Sequence, residues 1–225
     1  MTRSSQKSAD GTKKSVFLVE DHPVFRDGLI KLLESEADLM ICGHAGTARQ
    51  ALPMITREKP DLVVVDLGLP GKSGLELIKE IRAKKLPVKL LVVSMFDEAL
   101  YAQRVLRAGG DGYIMKQEDP QEILFAIRDV LAGHVYVSED VFADPATKEP
   151  ARPEKRMLDS LTDTELEILE MLGQGKSAGE TSQKLGLPET EINEAANQIR
   201  RKLKLKSHNA VIHYAVRWVE SSSSE

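Results

Sequence analysis

At 225 residues the chain is longer than the commonest single domain, so two domains are the default and each can bury a core of its own. A net charge of -4 argues against a protein that coats nucleic acid or anionic membrane through bulk charge, while leaving room for a local basic patch. The single cysteine, Cys42, has no partner within the chain and reads as a buried reduced thiol of a cytoplasmic protein. No stretch approaches the roughly 20 apolar residues of a membrane span, and the polar Lys/Ser-rich start has no apolar leader, so neither membrane insertion nor secretion is expected.

Residues 1–15 are expected to be a disordered tail. Residues 16–132 alternate short apolar runs with longer amphipathic stretches, which is the pattern of repeated βαβ units. The runs predict strands at Val16 to Glu20, Leu39 to His44, Asp61 to Asp66, Val88 to Ser94 and Gly112 to Met115. Helices are predicted at Val24 to Ser35, Ala48 to Arg57, Gly74 to Ala83, Glu98 to Ala108 and Pro120 to Leu131. The fold expected is an α/β doubly wound, five-stranded parallel sheet, with Met40 and Met54 in its core. Residues 133–158, with Pro145, Pro150 and Pro153 among charged residues, read as a linker, with a short helix around Val141. The segment 159–220 is small and all-α. Thr162 with Glu165 and Ser177 with Glu180 form capping boxes, and four helices follow at Asp163 to Leu172, Ala178 to Leu185, Glu189 to Leu203 and His208 to Val219. Residues 221–225 are expected to be a second disordered tail.

The chemistry lies where the strands end. Open parallel sheets place ligands at the carboxyl ends of their strands. Here those ends deliver Glu20 and Asp21, Asp66, Ser94 and Lys116 to one rim, and Asp66 is followed by the turn Gly68-Leu69-Pro70-Gly71 and by Gly74. Crowded carboxylates repel by about 4 kcal/mol per pair at about 4 Å and an effective dielectric near 20, so such a cluster is stable mainly around a cation. Oxygen donors select a hard ion, and Mg2+ fits, because it binds through one or two carboxylates plus waters and phosphate oxygens. Asp66 would then be a nucleophile forming an acyl phosphate, with Ser94 and Lys116 holding phosphoryl oxygens.

Glu20-Asp21, the Asp66 to Gly74 run, Ser94 and Gly112-Tyr113-Ile114-Met115-Lys116 resemble the receiver domain of two-component response regulators, in matching order and spacing over about half the chain. The resemblance implies a flavodoxin-like fold and phosphotransfer from a histidine kinase to Asp66. It implies Mg2+ on Asp21, Asp66 and the Gly68 carbonyl, with Glu20 acting through water. Tyr113 would be the aromatic switch that turns inward when Ser94 moves toward the phosphate; the alternative is a packing tyrosine. His22 reads as a loop residue.

Leu161-Thr162, Glu165, Ile168-Leu169, Gly175-Lys176-Ser177, Glu180, Leu185, Ile199 and Lys202-Leu203 resemble a LuxR-type helix-turn-helix domain. The resemblance implies that the helix Glu189 to Leu203 enters the major groove of duplex DNA. Asn193, Asn197 and Gln198 are then placed to read base edges, and Arg200, Arg201, Lys202, Lys204 and Lys206 to hold phosphates. The last helix would make a homodimer contact through Val211, Ala215 and Trp218, at least in the phosphorylated form; core packing is the alternative for Trp218. Two departures stand out. Glu189, Glu191 and Glu194 weaken the pull of phosphates, and Thr181 and Ser182 occupy positions usually apolar or small, which loosens packing.

The function expected is a phosphorylation-controlled regulator that acts on transcription through DNA, taking part in its own phosphotransfer but not an enzyme toward other substrates. The alternative is a receiver with a degenerate helix-turn-helix that acts through protein-protein contacts. A metal-dependent phosphohydrolase would need a further acid for an external substrate, and the rim offers none.

Overall fold

The computed structural model describes residues 13–138 and 157–222. The first part alternates β1 (Lys14–Val19), α1 (Pro23–Glu34), β2 (Leu39–Ala45), α2 (Ala48–Glu58), β3 (Leu62–Val65), α3 (Gly74–Ala83), β4 (Lys89–Ser94), α4 (Glu98–Ala108), β5 (Gly112–Met115) and α5 (Pro120–Ala132). All strand pairs are parallel, in the order β2-β1-β3-β4-β5. The strands are so uniformly apolar because both sheet faces are covered. Phe17, Val19, Val63, Val65, Leu90, Val92 and Tyr113 point to one side, while Val16, Leu18, Val64, Leu91, Val93 and Ile114 join a second core with α1 and α5. The chain reverses its direction of winding between β1 and β3. Val19 there pairs with Val65, so the residues that follow each strand emerge side by side.

Several extents differ from expectation. Lys14 and Ser15 belong to β1 rather than to a tail, because Asp61 draws them in: its carboxylate accepts the Ser15 N–H at 2.9 Å and hydroxyl at 2.8 Å and pairs with Lys14 at 3.1 Å. The edge strand β2 carries a bulge opposite Val16 and Phe17, which leaves Cys42 half-buried instead of fully enclosed. Met40 points outward from this edge and is 44% exposed, so it is not a core residue. Met54 does pack against the core. After α5 the chain runs on along the free edge of β5, with Tyr113 donating its N–H to the Tyr136 carbonyl at 2.7 Å. The residues expected to open the linker therefore cover a sheet edge. The expected helix at Val141, residues 1–12 and residues 223–225 lie outside the described residues.

The second part holds α6 (Asp163–Gly173), α7 (Ala178–Leu185), α8 (Glu189–Lys202) and α9 (His208–Ser222), the last extending into the stretch expected to be a tail. Both capping boxes form, at Thr162 with Glu165 and at Ser177 with Glu180. Val211 and Ala215 are fully buried against α6, so that face of α9 is internal and is not a dimer contact. Trp218 is half-buried against the same core. Thr181 is fully buried with no hydrogen-bond partner for its hydroxyl among the described residues, whereas the Ser182 hydroxyl donates to the Leu187 carbonyl at 2.6 Å.

The two parts are docked. Asp163, Glu167 and Glu170 fall on one stripe of α6, which faces α3 and α4. Asp163 is bound at 2.8 Å by both Lys79 and Arg104, and Arg104 also donates to the Leu161 carbonyl at 3.0 Å. Glu167 and Glu170 are buried, and among the described residues neither is in ion-pair contact with a cation. Burial raises both carboxyls to about 8. Ser73 donates to Glu167, near Glu76, Lys79 and Asp163, and Tyr101 donates to Glu170 at 3.3 Å, with Asp97 and Asp66 nearby.

Two outcomes follow from this packing. Thr181→Val removes a buried hydroxyl that bonds nothing and should raise stability by about 1 kcal/mol in denaturant unfolding; a loss would mean the hydroxyl has a partner. The second concerns pH. The docked form keeps Glu167 and Glu170 protonated between their usual 4.5 and about 8, while the separated form has released those protons. Docking should therefore be strongest at the acid end, weaken as pH rises through that window and level off above it. Small-angle scattering should report a larger radius of gyration at the alkaline end, and the double variant Glu167→Gln, Glu170→Gln should stay compact throughout. A radius independent of pH in the unaltered chain would contradict this.

Candidate functional site

Matching register makes the site. Asp66 donates its N–H to the Val19 carbonyl at 2.9 Å, which seats it beside Glu20 at the ends of neighbouring strands. Lys116, after β5, donates its N–H to the Ser94 carbonyl at 2.8 Å and reaches across the rim. Its ammonium lies 2.7 Å from Glu20 Oε2 and 2.9 Å from Asp66 Oδ2, with the Phe25 ring centroid 4.8 Å away. Glu20 and Asp66 are both buried. Burial, and then the charge of Asp66, raise the Glu20 carboxyl despite the Lys116 hydrogen bond. For Lys116 burial acts downward, and the charges of Asp66 and Glu20 outweigh it and raise the ammonium. The cluster is thus crowded with negative charge that one lysine only partly offsets.

Asp21 stands next to this knot. Glu20, Asp21 and His22 offer ligand atoms within 4.8 Å of one another, so the imidazole expected to be a loop residue lies beside the acids. Gly68 follows Asp66 in the loop, where an added Cβ would come 3.7 Å from Asp66 Oδ2. Gly74 is dictated more sharply. A Cβ there would sit 2.0 Å from the Asp66 carbonyl oxygen, so only glycine lets α3 start directly against the loop that carries Asp66. The donors are hard oxygens, apart from His22, and they suit a divalent cation such as Mg2+.

Beneath the rim lies an aromatic path. Ser94 is fully buried, and its Oγ accepts the Phe96 N–H at 3.4 Å. Tyr113 is likewise fully buried with its ring already inward, as for the packing tyrosine and not for a ring still to turn in, and its hydroxyl donates to the Phe96 carbonyl at 2.6 Å. Phe96 packs on Tyr101 with ring centroids 5.0 Å apart, and Tyr101 donates to Glu170 of α6. Burial pushes both phenols well above their usual range, so they remain donors.

The second part also touches the rim. Lys184 of α7 pairs with Asp21 Oδ2 at 2.5 Å, and its carbonyl accepts the Gly71 N–H at 2.7 Å. No periodicity or motif marks Lys184 for this role.

On α8, Asn193, Asn197, Gln198 and Arg201 are exposed, as is Lys204 just beyond it, while Arg200 is half-buried. Asn193, Asn197 and Arg201 share one stripe at four-residue spacing. Lys202 does not belong to the basic set: its ammonium is 2.5 Å from Glu165 Oε2, the capping-box acid. Glu189, Glu191 and Glu194 are exposed on the same helix.

Comparison with known proteins adds family to this geometry. Residues 16–128 match the family described as "Response regulator receiver domain", and residues 159–215 match "Bacterial regulatory proteins, luxR family". The chain is 30% identical over 196 residues to the nitrate/nitrite response regulator protein NarL of Escherichia coli, covering 86% of this chain and 90% of that protein. It is 30% identical over 205 residues to the response regulator UvrY of the same species, covering 90% and 94%. A solved two-component response regulator of the LuxR family from Aurantimonas sp. matches at 32% identity and a TM-score of 0.56, over 60% of this chain and 96% of that one. RcsB of Salmonella enterica, solved bound to promoter DNA, matches at a TM-score of 0.67 over 91% and 98%, and its 21% identity makes this a likeness of fold alone.

Proposed function

Because this chain belongs to the response regulators that join a receiver domain to a LuxR-type helix-turn-helix domain, we propose that Asp66 accepts a phosphoryl group from a histidine kinase and thereby controls transcription through duplex DNA. The observation that carries this reading is Lys116, held between Glu20 and Asp66 at 2.7 and 2.9 Å beside a glycine-rich loop. An Asp66 carboxylate oxygen attacks phosphorus, and the bond from phosphorus to the histidine nitrogen breaks with its electron pair passing to that nitrogen. Lys116, already within reach, takes a phosphoryl oxygen as the Asp66 carboxylate becomes an acyl phosphate. Ser94, on the adjacent strand, supplies a hydroxyl for another.

Mg2+ would be held by Asp21, Asp66 and the Gly68 carbonyl, with Glu20 acting through water; it supplies charge neutralisation for the transferring group. Burial and then the charge of Asp66 raise the Glu20 carboxyl, and a cation there would offset both.

The adduct adds roughly -1.5 to -2 charge at Asp66. Movement of Ser94 toward it disturbs Phe96, and with it the inward Tyr113 and the start of α4, which is the face that holds α6. Separating the two domains would free the DNA-binding unit to pair with a second copy over two half-sites, the proposed homodimer. Asn193, Asn197 and Gln198 would then read bases, with Arg200, Arg201 and Lys204 on phosphates. A location in the cytoplasm fits this activity, and no helix among the described residues is long and apolar enough to cross a membrane. The exposed Glu189, Glu191 and Glu194 favour a second reading, in which α8 docks a basic protein surface.

Two measurements test these assignments. Incubated with a small-molecule phosphodonor and Mg2+, the chain should gain one phosphoryl group by intact mass and Asp66→Asn should gain none; equal gains would remove Asp66 from its role. In a salt titration against random duplex DNA, log affinity should fall linearly with log salt, and Arg201→Ala should reduce the slope by about 1. No binding at low salt would favour the protein-docking reading.

A further inference from the structure

Among the described residues two lysines pair with carboxylates of the acidic rim, and they come from different domains. Lys116 is the receiver's own and holds Glu20 and Asp66. Lys184 arrives from α7 and holds Asp21 at 2.5 Å, with the two side chains 29% and 24% exposed. Its position is fixed twice over. The Lys184 carbonyl accepts the Gly71 N–H at 2.7 Å, and Gly186, in the left-handed conformation at φ 67°, brings its backbone so close to Gly71 that a Cβ would lie 3.1 Å from the Gly71 Cα. The end of α7 therefore rests on the loop after Asp66 while its lysine neutralises an acid after β1.

We infer that Lys184 is a tethered counter-cation that competes with Mg2+ for the Asp21 carboxylate, so that metal loading and docking of the DNA-binding domain oppose each other. This rests on the metal site proposed above. Mg2+ demands close octahedral oxygen ligands and keeps several waters, and an ammonium already on Asp21 leaves that oxygen neither free nor negative enough to serve. When the domain lifts away, the ammonium leaves with it and Asp21 becomes available. Linkage then requires the reverse: Mg2+ must weaken docking by the same factor by which docking weakens Mg2+. Lys116 cannot couple in this way, because it does not move with the second domain.

The test is Mg2+ binding by isothermal titration calorimetry on the full chain, with docking followed by small-angle scattering. Couplings between sites run about 5- to 150-fold, and a partly exposed pair belongs near the low end, so Lys184→Gln should bind Mg2+ about tenfold more tightly than the unaltered chain. Lys184→Arg should keep the weaker affinity, since it keeps the charge. Mg2+ should expand the unaltered chain and leave the radius of gyration of Lys184→Gln unchanged. Asp21→Asn, lacking the ligand, should lose the tight binding in either background. If Lys184→Gln and the unaltered chain bind Mg2+ equally, or if Lys184→Arg gains as much as Lys184→Gln, the competition is refuted while the metal site stands. If no variant binds Mg2+, the metal site itself falls and the competition with it.

Discussion

Glu20 and Asp66 emerge from adjacent parallel strands at matched register, which forces two carboxylates within reach of a single ammonium in a partly dry rim. Taken out of water, like charges at this distance need a cation, and Lys116 supplies one from a third strand. The rest of the receiver can be read as the frame that keeps this arrangement. Apolar strands buried on both faces fix the register, Gly74 lets the helix after Asp66 start in contact with its backbone, and the reversal of winding between β1 and β3 leaves the crevice open.

The docking of the helical domain is built from a different balance. A helix whose inward stripe is Asp163, Glu167 and Glu170 would normally turn that stripe to water. Here Asp163 is matched by Lys79 and Arg104, but the two glutamates are enclosed as neutral acids bonded to Ser73 and Tyr101. Burying neutral carboxyls costs less than burying charges, yet more than burying apolar side chains. The contact is consequently one that modest changes in charge or geometry can undo, as a conformational device requires.

Much of this was legible in the sequence, for physical reasons that can be named. Apolar runs such as Leu62 to Val65, ended by an acid and a Gly/Pro turn, specify buried strands almost by themselves, and Thr162 with Glu165 marks a helix start by local hydrogen bonding. What escaped depends on contacts between distant residues. Lys184 and Asp21 are separated by most of the chain, so no local pattern joins them. Glu167 and Glu170 look like a solvated face until α3 and α4 cover them. Val211 and Ala215 have the spacing of an interface, and only the packing of α6 shows that the interface is internal. Met40 is apolar in an apolar strand, but β2 is the sheet's edge and its alternation faces outward there.

The exposure of Asn193, Asn197, Gln198 and Arg201 in the docked arrangement has a consequence for how such a molecule is restrained. If α8 is the helix that enters the groove, as proposed, its reading side is uncovered while α6 and α7 are engaged, and docking then acts as a leash and not as a mask. On that reading a leashed chain can still graze a duplex through one helix. On the proposed homodimer, what it lacks is the freedom to align that helix with a second one a full turn of DNA away, and control exerted at that level would govern pairing on DNA more than first contact with it.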